Sequence, residues 1–105
     1  MASDSALSEA RALLADLAEL LQLAESLDKH PMYWMAISAR DAARGSDDDL
    51  QTFLVSNELW GGAGSIADQG RGRRIERKLI ELGRLQMQLG MVNARTVMWV
   101  TWFDQ

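Results

Sequence analysis

Residues 5–27, SALSEARALLADLAELLQLAESL, carry apolar side chains on two adjacent faces of a helix, and that breadth limits what the chain can fold into. Leu7, Ala10, Leu14, Leu17, Leu21 and Ala24 follow the three-and-four spacing of one buried face, while Leu13, Leu20 and Leu27 add a second stripe beside it. Glu9, Asp16, Glu19 and Gln22 are left as a narrow polar strip. A helix this broadly apolar needs neighbours on two sides, so it is central in a bundle or also forms a subunit interface.

The rest of the chain reads as shorter helices divided by clear stop signals. Asp28 to Pro31 ends the first helix and starts a second, because proline is accepted only in a first turn. Residues 32–44, MYWMAISARDAAR, run to Gly45, with Trp34, Met35, Ile37, Ser38 and Ala42 on one side, which predicts that the aromatic end packs inward. Ser46 and Asp49 have the spacing of a capping box, and Asp47, Asp48 and Asp49 suit the positive end of a helix dipole better than a metal ion, since adjacent helical side chains diverge. Leu50, Phe53 and Leu54 supply the buried side of that helix; the stretch TFLV is also acceptable as a short strand but has no obvious partner.

Residues 52–68, TFLVSNELWGGAGSIAD, contain the unusual loop. Gly61, Gly62 and Gly64 allow a sharp turn after Trp60, and Ser65 with Asp68 three residues on reads as the start of another helix. Two readings follow. Either Trp60 anchors the loop in the core and the glycines let the backbone pass it, or the loop's free N–H groups bind an anion. Gly62, Gly64 and Ala67 also match G-x-G-x-x-[GA], with Glu81 at a loose distance, but the dinucleotide fingerprint needs a βαβ unit that this sequence does not supply.

A basic helix follows. Ile75, Leu79, Leu82 and Leu89 form its apolar stripe, Ile80 and Met87 widen it, and Gly90 ends it. Gly83 lies mid-helix, where close crossing by another helix would compensate its cost of about 1 kcal/mol relative to alanine. Arg71, Arg73, Arg74, Arg77 and Lys78 are five basic side chains within eight residues, and the pairs Arg73/Arg77 and Arg74/Lys78 repel unless acids approach. The acidic start of the third helix, or an acidic partner, would relieve them. Asn93 restarts the chain, and ARTVMWVTWF closes it as a short helix or as an extended segment over the core.

Composition removes several chemistries. The chain has no cysteine and one histidine, His30, which excludes disulfides, thiolate catalysis and cysteine-type zinc sites and leaves one imidazole for any triad. His30, beside Pro31, reads as a capping or surface residue. Residues 1–60 hold four basic and eleven acidic side chains, a net of −7, and residues 61–105 hold seven basic and four acidic, a net of +3. No run reaches the roughly 18 apolar residues of a membrane span, and Asp4, Glu9 and Arg11 interrupt the beginning, so a cytoplasmic location is expected. The acidic total, with no aromatic stacking platform beside the arginines, argues against nucleic acid.

The leucine-rich first helix, the early tryptophan of the second and the stretch Gly61, Gly62, Gly64, Ser65, Ile66, Asp68 together resemble small bacterial helical proteins of unknown function with a Gly-Gly-x-Gly-Ser-hydrophobic-x-Asp stretch. The resemblance covers residues 10–68 and implies no catalytic residue or cofactor. Some such proteins look like the small acidic partners encoded beside bacterial toxins.

These features predict one all-α domain over residues 1–105, an irregular bundle of four or five helices with the glycine-rich loop near one end. The expected function is a non-enzymatic interaction protein, immunity-like or regulatory, that binds another protein. The candidate surface is Trp60, provided it is exposed, with the arginines around Arg74. The alternative is a binding module or enzyme for a phosphorylated ligand, using Gly61, Gly62, Gly64 and Ser65 together with Arg71, Arg73, Arg74 and Arg77. A homodimer through Leu13 and Leu20 of the first helix is a third expectation.

Overall fold

Arg11 shows how the first two helices are arranged. Its guanidinium donates to the carbonyls of Ala43 and Gly45, both at 2.7 Å, and pairs with Asp47 at 2.7 Å, so the beginning of the first helix lies beside the end of the second. The two form an antiparallel hairpin. The computed structural model describes residues 2–28, 30–70 and 72–105, and the side chains of these except at 2–4, 24–28 and 30–32. Its helices are α1 (Ala2–Asp28), α2 (His30–Arg44), α3 (Asp47–Leu54), α4 (Asn57–Trp60), α5 (Ile66–Gln69), α6 (Arg73–Leu89) and α7 (Thr96–Phe103).

Five of these have eight residues or more and two are single turns of four, so the fold is an all-α irregular bundle. No strand occurs among the described residues, and TFLV is helix and turn. The broad apolar surface of α1 is used on two sides: one flank packs on α2 and another on α6. Ala10, Leu14, Leu17 and Leu21 are buried completely, and Leu13 and Leu20 pack half-buried against the same core. Ala24, Leu27, His30 and Pro31 have side chains outside the described residues, as does the whole of Arg71.

The prediction for α2 is overturned in one respect. Its aromatic end does not face inward: Trp34 is 65% exposed and stacks edge-on against exposed Tyr33. The buried residues are Ala36, Ala39, Ala42 and Ala43. Small side chains at three- and four-residue spacing let α1 approach closely, and a tryptophan in that seam would hold the helices apart.

Ser46 makes the capping box that its spacing predicts. Its hydroxyl accepts from the Asp49 N–H at 3.1 Å, and the Asp49 carboxylate accepts from the Ser46 N–H at 3.3 Å. Replacing Ser46 by alanine is expected to cost about 1 kcal/mol, seen as a fall of about 4–8 °C in the thermal midpoint. An unchanged midpoint would mean that α3 is held by packing alone. Helix α3 ends earlier than its sequence suggests: the Ser56 hydroxyl donates to the Phe53 carbonyl at 2.7 Å and turns the chain into α4.

The C-terminal stretch is helix throughout Thr96–Phe103 and not extended. Asn93 starts it as expected, with its side-chain oxygen accepting from the N–H groups of Arg95 at 2.7 Å and Thr96 at 3.1 Å. Its amide donates to the Ser56 carbonyl at 3.0 Å, which ties the start of α7 to the α3–α4 turn. Gly90, at φ 73°, ends α6 as predicted.

Candidate functional site

The glycine loop and the basic helix, which the sequence places close together, serve different purposes in the fold. Trp60 is fully buried, and its indole Nε1–H donates to Gln86 Oε1 at 2.8 Å. It is therefore the anchor of the loop and cannot be a surface contact, which corrects its candidacy as a binding residue. Gly61 lies against the last turn of α4, where a Cβ would overlap the Asn57 carbonyl oxygen. Only glycine lets the backbone double back there.

Several polar groups of the loop are satisfied internally. The Gly61 carbonyl accepts from Trp99 Nε1 at 2.9 Å and from the Ser65 hydroxyl at 3.2 Å. Ser65 caps α5 through the Asp68 N–H at 3.2 Å, and the Gly64 N–H donates to the Asp68 carboxylate at 3.0 Å. Asp68 thus fills the position an external anion would take. In a full capping box its carboxylate would bind the Ser65 N–H, but that group donates to the Gly62 carbonyl at 3.1 Å. The open face of Gly62 lies beside the Arg95 guanidinium, and a Cβ at Gly64, which has φ 89°, would meet open space.

The arginines lie on a separate face. Arg73, Arg74, Arg77, Lys78 and Glu81 of α6, with Leu20 of α1, line an open groove of about 440 Å³. Leu20 and the alkyl stems of the cations give it an apolar floor, and the three arginines are exposed. No residue of the glycine loop contributes to it. Lys78 is paired with Asp16 and Glu81, both at 3.6 Å. Arg73, Arg74 and Arg77 make no side-chain hydrogen bond or ion pair among the described residues.

The acidic start of α3 does not relieve the arginines. Asp47 pairs with Arg11, and Asp49 is occupied as a cap. Asp49 also lines a different shallow groove of about 340 Å³ together with Asp41 and Glu58. The division of charge along the sequence thus survives as two grooves of opposite sign.

Gln86 is a part of the architecture that the sequence pattern conceals. It lies at 0% exposure in the apolar stripe of α6, where it accepts from Trp60 and donates to the carbonyls of Leu54 at 2.7 Å and Met91 at 2.8 Å. One signal was available: a buried tryptophan N–H needs an acceptor, and Gln86 lies seven residues after Leu79 on the same face.

No protein-family model, curated protein or solved structure matches this chain. Among the described residues there is no cluster of histidine, cysteine or carboxylate side chains able to hold a metal ion, and no helix long and apolar enough to cross a membrane.

Proposed function

We propose that the protein is a non-enzymatic binding module whose α6 groove receives an acidic segment of another protein. One observation carries the reading: Arg73, Arg74 and Arg77 are exposed together along a groove and lack any paired counter-charge within the described residues. Like charges at this spacing are mildly destabilising on a helix, and a carboxylate-rich partner removes that repulsion while gaining bidentate hydrogen bonds. Arginine is enriched among residues that dominate binding energy, and the apolar strip at Leu20 offers a contact for one apolar partner side chain. An immunity-like or regulatory role, suggested by the sequence resemblance, operates by such occupation of a partner and requires no catalytic group.

The test is capture of partners by the tagged protein from its own cells, followed by direct titration of the purified candidate by calorimetry. Arg73→Glu/Arg77→Glu is expected to weaken binding at least about 100-fold, since reversing charges opposite carboxylates adds repulsion to the lost pairs. The thermal midpoint should stay level or rise slightly. Equal binding by the variant would remove the groove from the interaction.

A phosphorylated small molecule is the second reading. The groove volume falls within the range of ligand pockets, and three free arginines suit a phosphate. Stabilisation of the wild type, and not of the variant, by a nucleotide or inorganic polyphosphate in a thermal-shift assay would favour it. The glycine loop takes no part in either reading, because none of its residues lines the α6 groove.

A further inference from the structure

The seam between α1 and α2 opens on one side into a trench of about 470 Å³, which continues into a smaller hollow of about 140 Å³. Gln22 and Arg40 line both. Ala15, Ala18 and Ala43 line the trench with small side chains that leave room above the seam. Asp16 and Glu19 come to it from α1, and Arg40 and Arg44 from α2. Opposite charges share one space, yet no ion pair joins the two helices across it among the described residues. Asp16 pairs instead with Lys78 of α6 at 3.6 Å, and Arg40 with its neighbour Asp41 at 3.2 Å. Glu19 and Arg44 make no side-chain hydrogen bond or ion pair among those residues.

The register of the hairpin staggers these charges. Arg11 bonds to the Ala43 and Gly45 carbonyls, which sets residue 11 roughly level with residue 44. Along antiparallel helices rising about 1.5 Å per residue, Arg40 then stands level with Ala15, about 6 Å along the trench from Glu19, and Arg44 about 12 Å from it.

We infer that the trench binds a small zwitterion, an α-amino acid with an apolar side chain. Its carboxylate lies between Arg40 and Arg44, its ammonium on Glu19, and its side chain in the smaller hollow against Ala36, Ile37 and Tyr33. Arg40 and Arg44 are four residues apart and so neighbours on α2, where a carboxylate receives hydrogen bonds from both guanidinium groups and relieves their repulsion. The exposed pair of Arg40 with Asp41 is weak and yields to it. The order of groups along the trench, cationic, then anionic, then apolar, selects both charges of the ligand: an anion alone meets Glu19 beside Arg40, and a cation alone meets the two arginines. Asp16 does not compete for the ammonium, because Lys78 already neutralises it.

The test is titration of the isotope-labelled whole chain with L-phenylalanine, followed by amide chemical shifts. Shifts confined to residues 15–22 and 33–44 should saturate with a Kd of about 1 mM, as suits a small ligand in an open site. N-acetylphenylalanine, which lacks the ammonium, and phenylalanine amide, which lacks the carboxylate, should each bind about fivefold more weakly or worse. Glu19→Gln should lose affinity for phenylalanine by a similar factor and no longer distinguish it from N-acetylphenylalanine. Arg44→Gln should weaken phenylalanine but leave phenylalanine amide as it was. Both side chains are exposed, so the thermal midpoints should hardly move. Shifts that fail to saturate by about 50 mM, blocked compounds that bind as well as phenylalanine, or a Glu19→Gln chain that still prefers the free ammonium would overturn the assignment. The substitutions leave Arg73, Arg74 and Arg77 in place, so the outcome is independent of the α6 groove.

Discussion

Replacing Gln86 by leucine is expected to destabilise the protein by about 3–5 kcal/mol, although leucine fills nearly the same volume and is the better core residue by hydrophobicity. Gln86 joins three parts of the bundle: its oxygen holds the Trp60 indole, and its amide holds the last carbonyl of α3 and the Met91 carbonyl beyond the end of α6. Among the described residues, every buried side-chain nitrogen and oxygen has a partner. Leucine would leave one donor and two acceptors facing apolar surroundings, each at about 1–3 kcal/mol, with water able to recover some of this near Met91. Urea unfolding followed by tryptophan fluorescence measures the loss. A double-mutant cycle with Trp60→Phe separates the indole contact from the two carbonyl contacts, and a loss below about 1 kcal/mol would show that α6 can shift enough to expose those groups to water.

Gly83→Val is expected to cost about 3 kcal/mol even though it replaces the poorest helix former in α6. A Cβ at this position would overlap Val100 Cγ2 and come within 3.2 Å of Trp60 Cη2 and Cζ2. Val100 is a stiff branched side chain on α7, and Trp60 is held by Gln86, so neither can swing away. The strain should displace α7, loosening the stack of Trp99 on Phe103 and reducing the near-ultraviolet dichroism of the tryptophans. Gly83→Ala should cost less, because gained helix propensity offsets part of the overlap. Adding Val100→Ala removes the closest atom and should recover stability relative to Gly83→Ala alone. If the two changes simply add, the crossing at Gly83 is not the constraint described.

Several elements were legible because their causes lie within a few residues. The capping box at Ser46, the restart at Asn93, the stop at Gly90 and the close crossing at Gly83 all follow from local chemistry at short spacing. Of the two readings of the loop, the one in which Trp60 anchors it and the glycines pass the backbone agrees with the geometry, and Ser65 caps α5 as its position suggests. The link between that loop and the arginines was not legible. Sequence proximity placed Gly64 and Arg73 near one another, yet the loop faces Arg95 and Trp99 while the arginines line a groove with Leu20.

The orientation of Trp34 shows the same limit from another direction. Apolar periodicity marks a face of α2 but does not say how near its neighbour lies, and only the close approach of α1 makes four alanines the better seam. Helix α7 was ambiguous because β-branched and aromatic residues suit a strand as well, and its contacts with α6 resolve it as helix.

The sequence by itself pointed to an all-α fold, to where most helices begin and end, to a first helix that needs neighbours on two sides, and to a charge divided between the two halves of the chain. Periodicity, caps and glycine stops act over one or two turns, so they can be read from neighbouring residues. Tertiary structure alone decided that Gln86 meets Trp60 across 26 positions, that Arg11 closes the α1–α2 hairpin across 32, and that three arginines are left without paired acids among the described residues. These pairings depend on which faces meet and at what distance, and that is settled by packing the whole core at once.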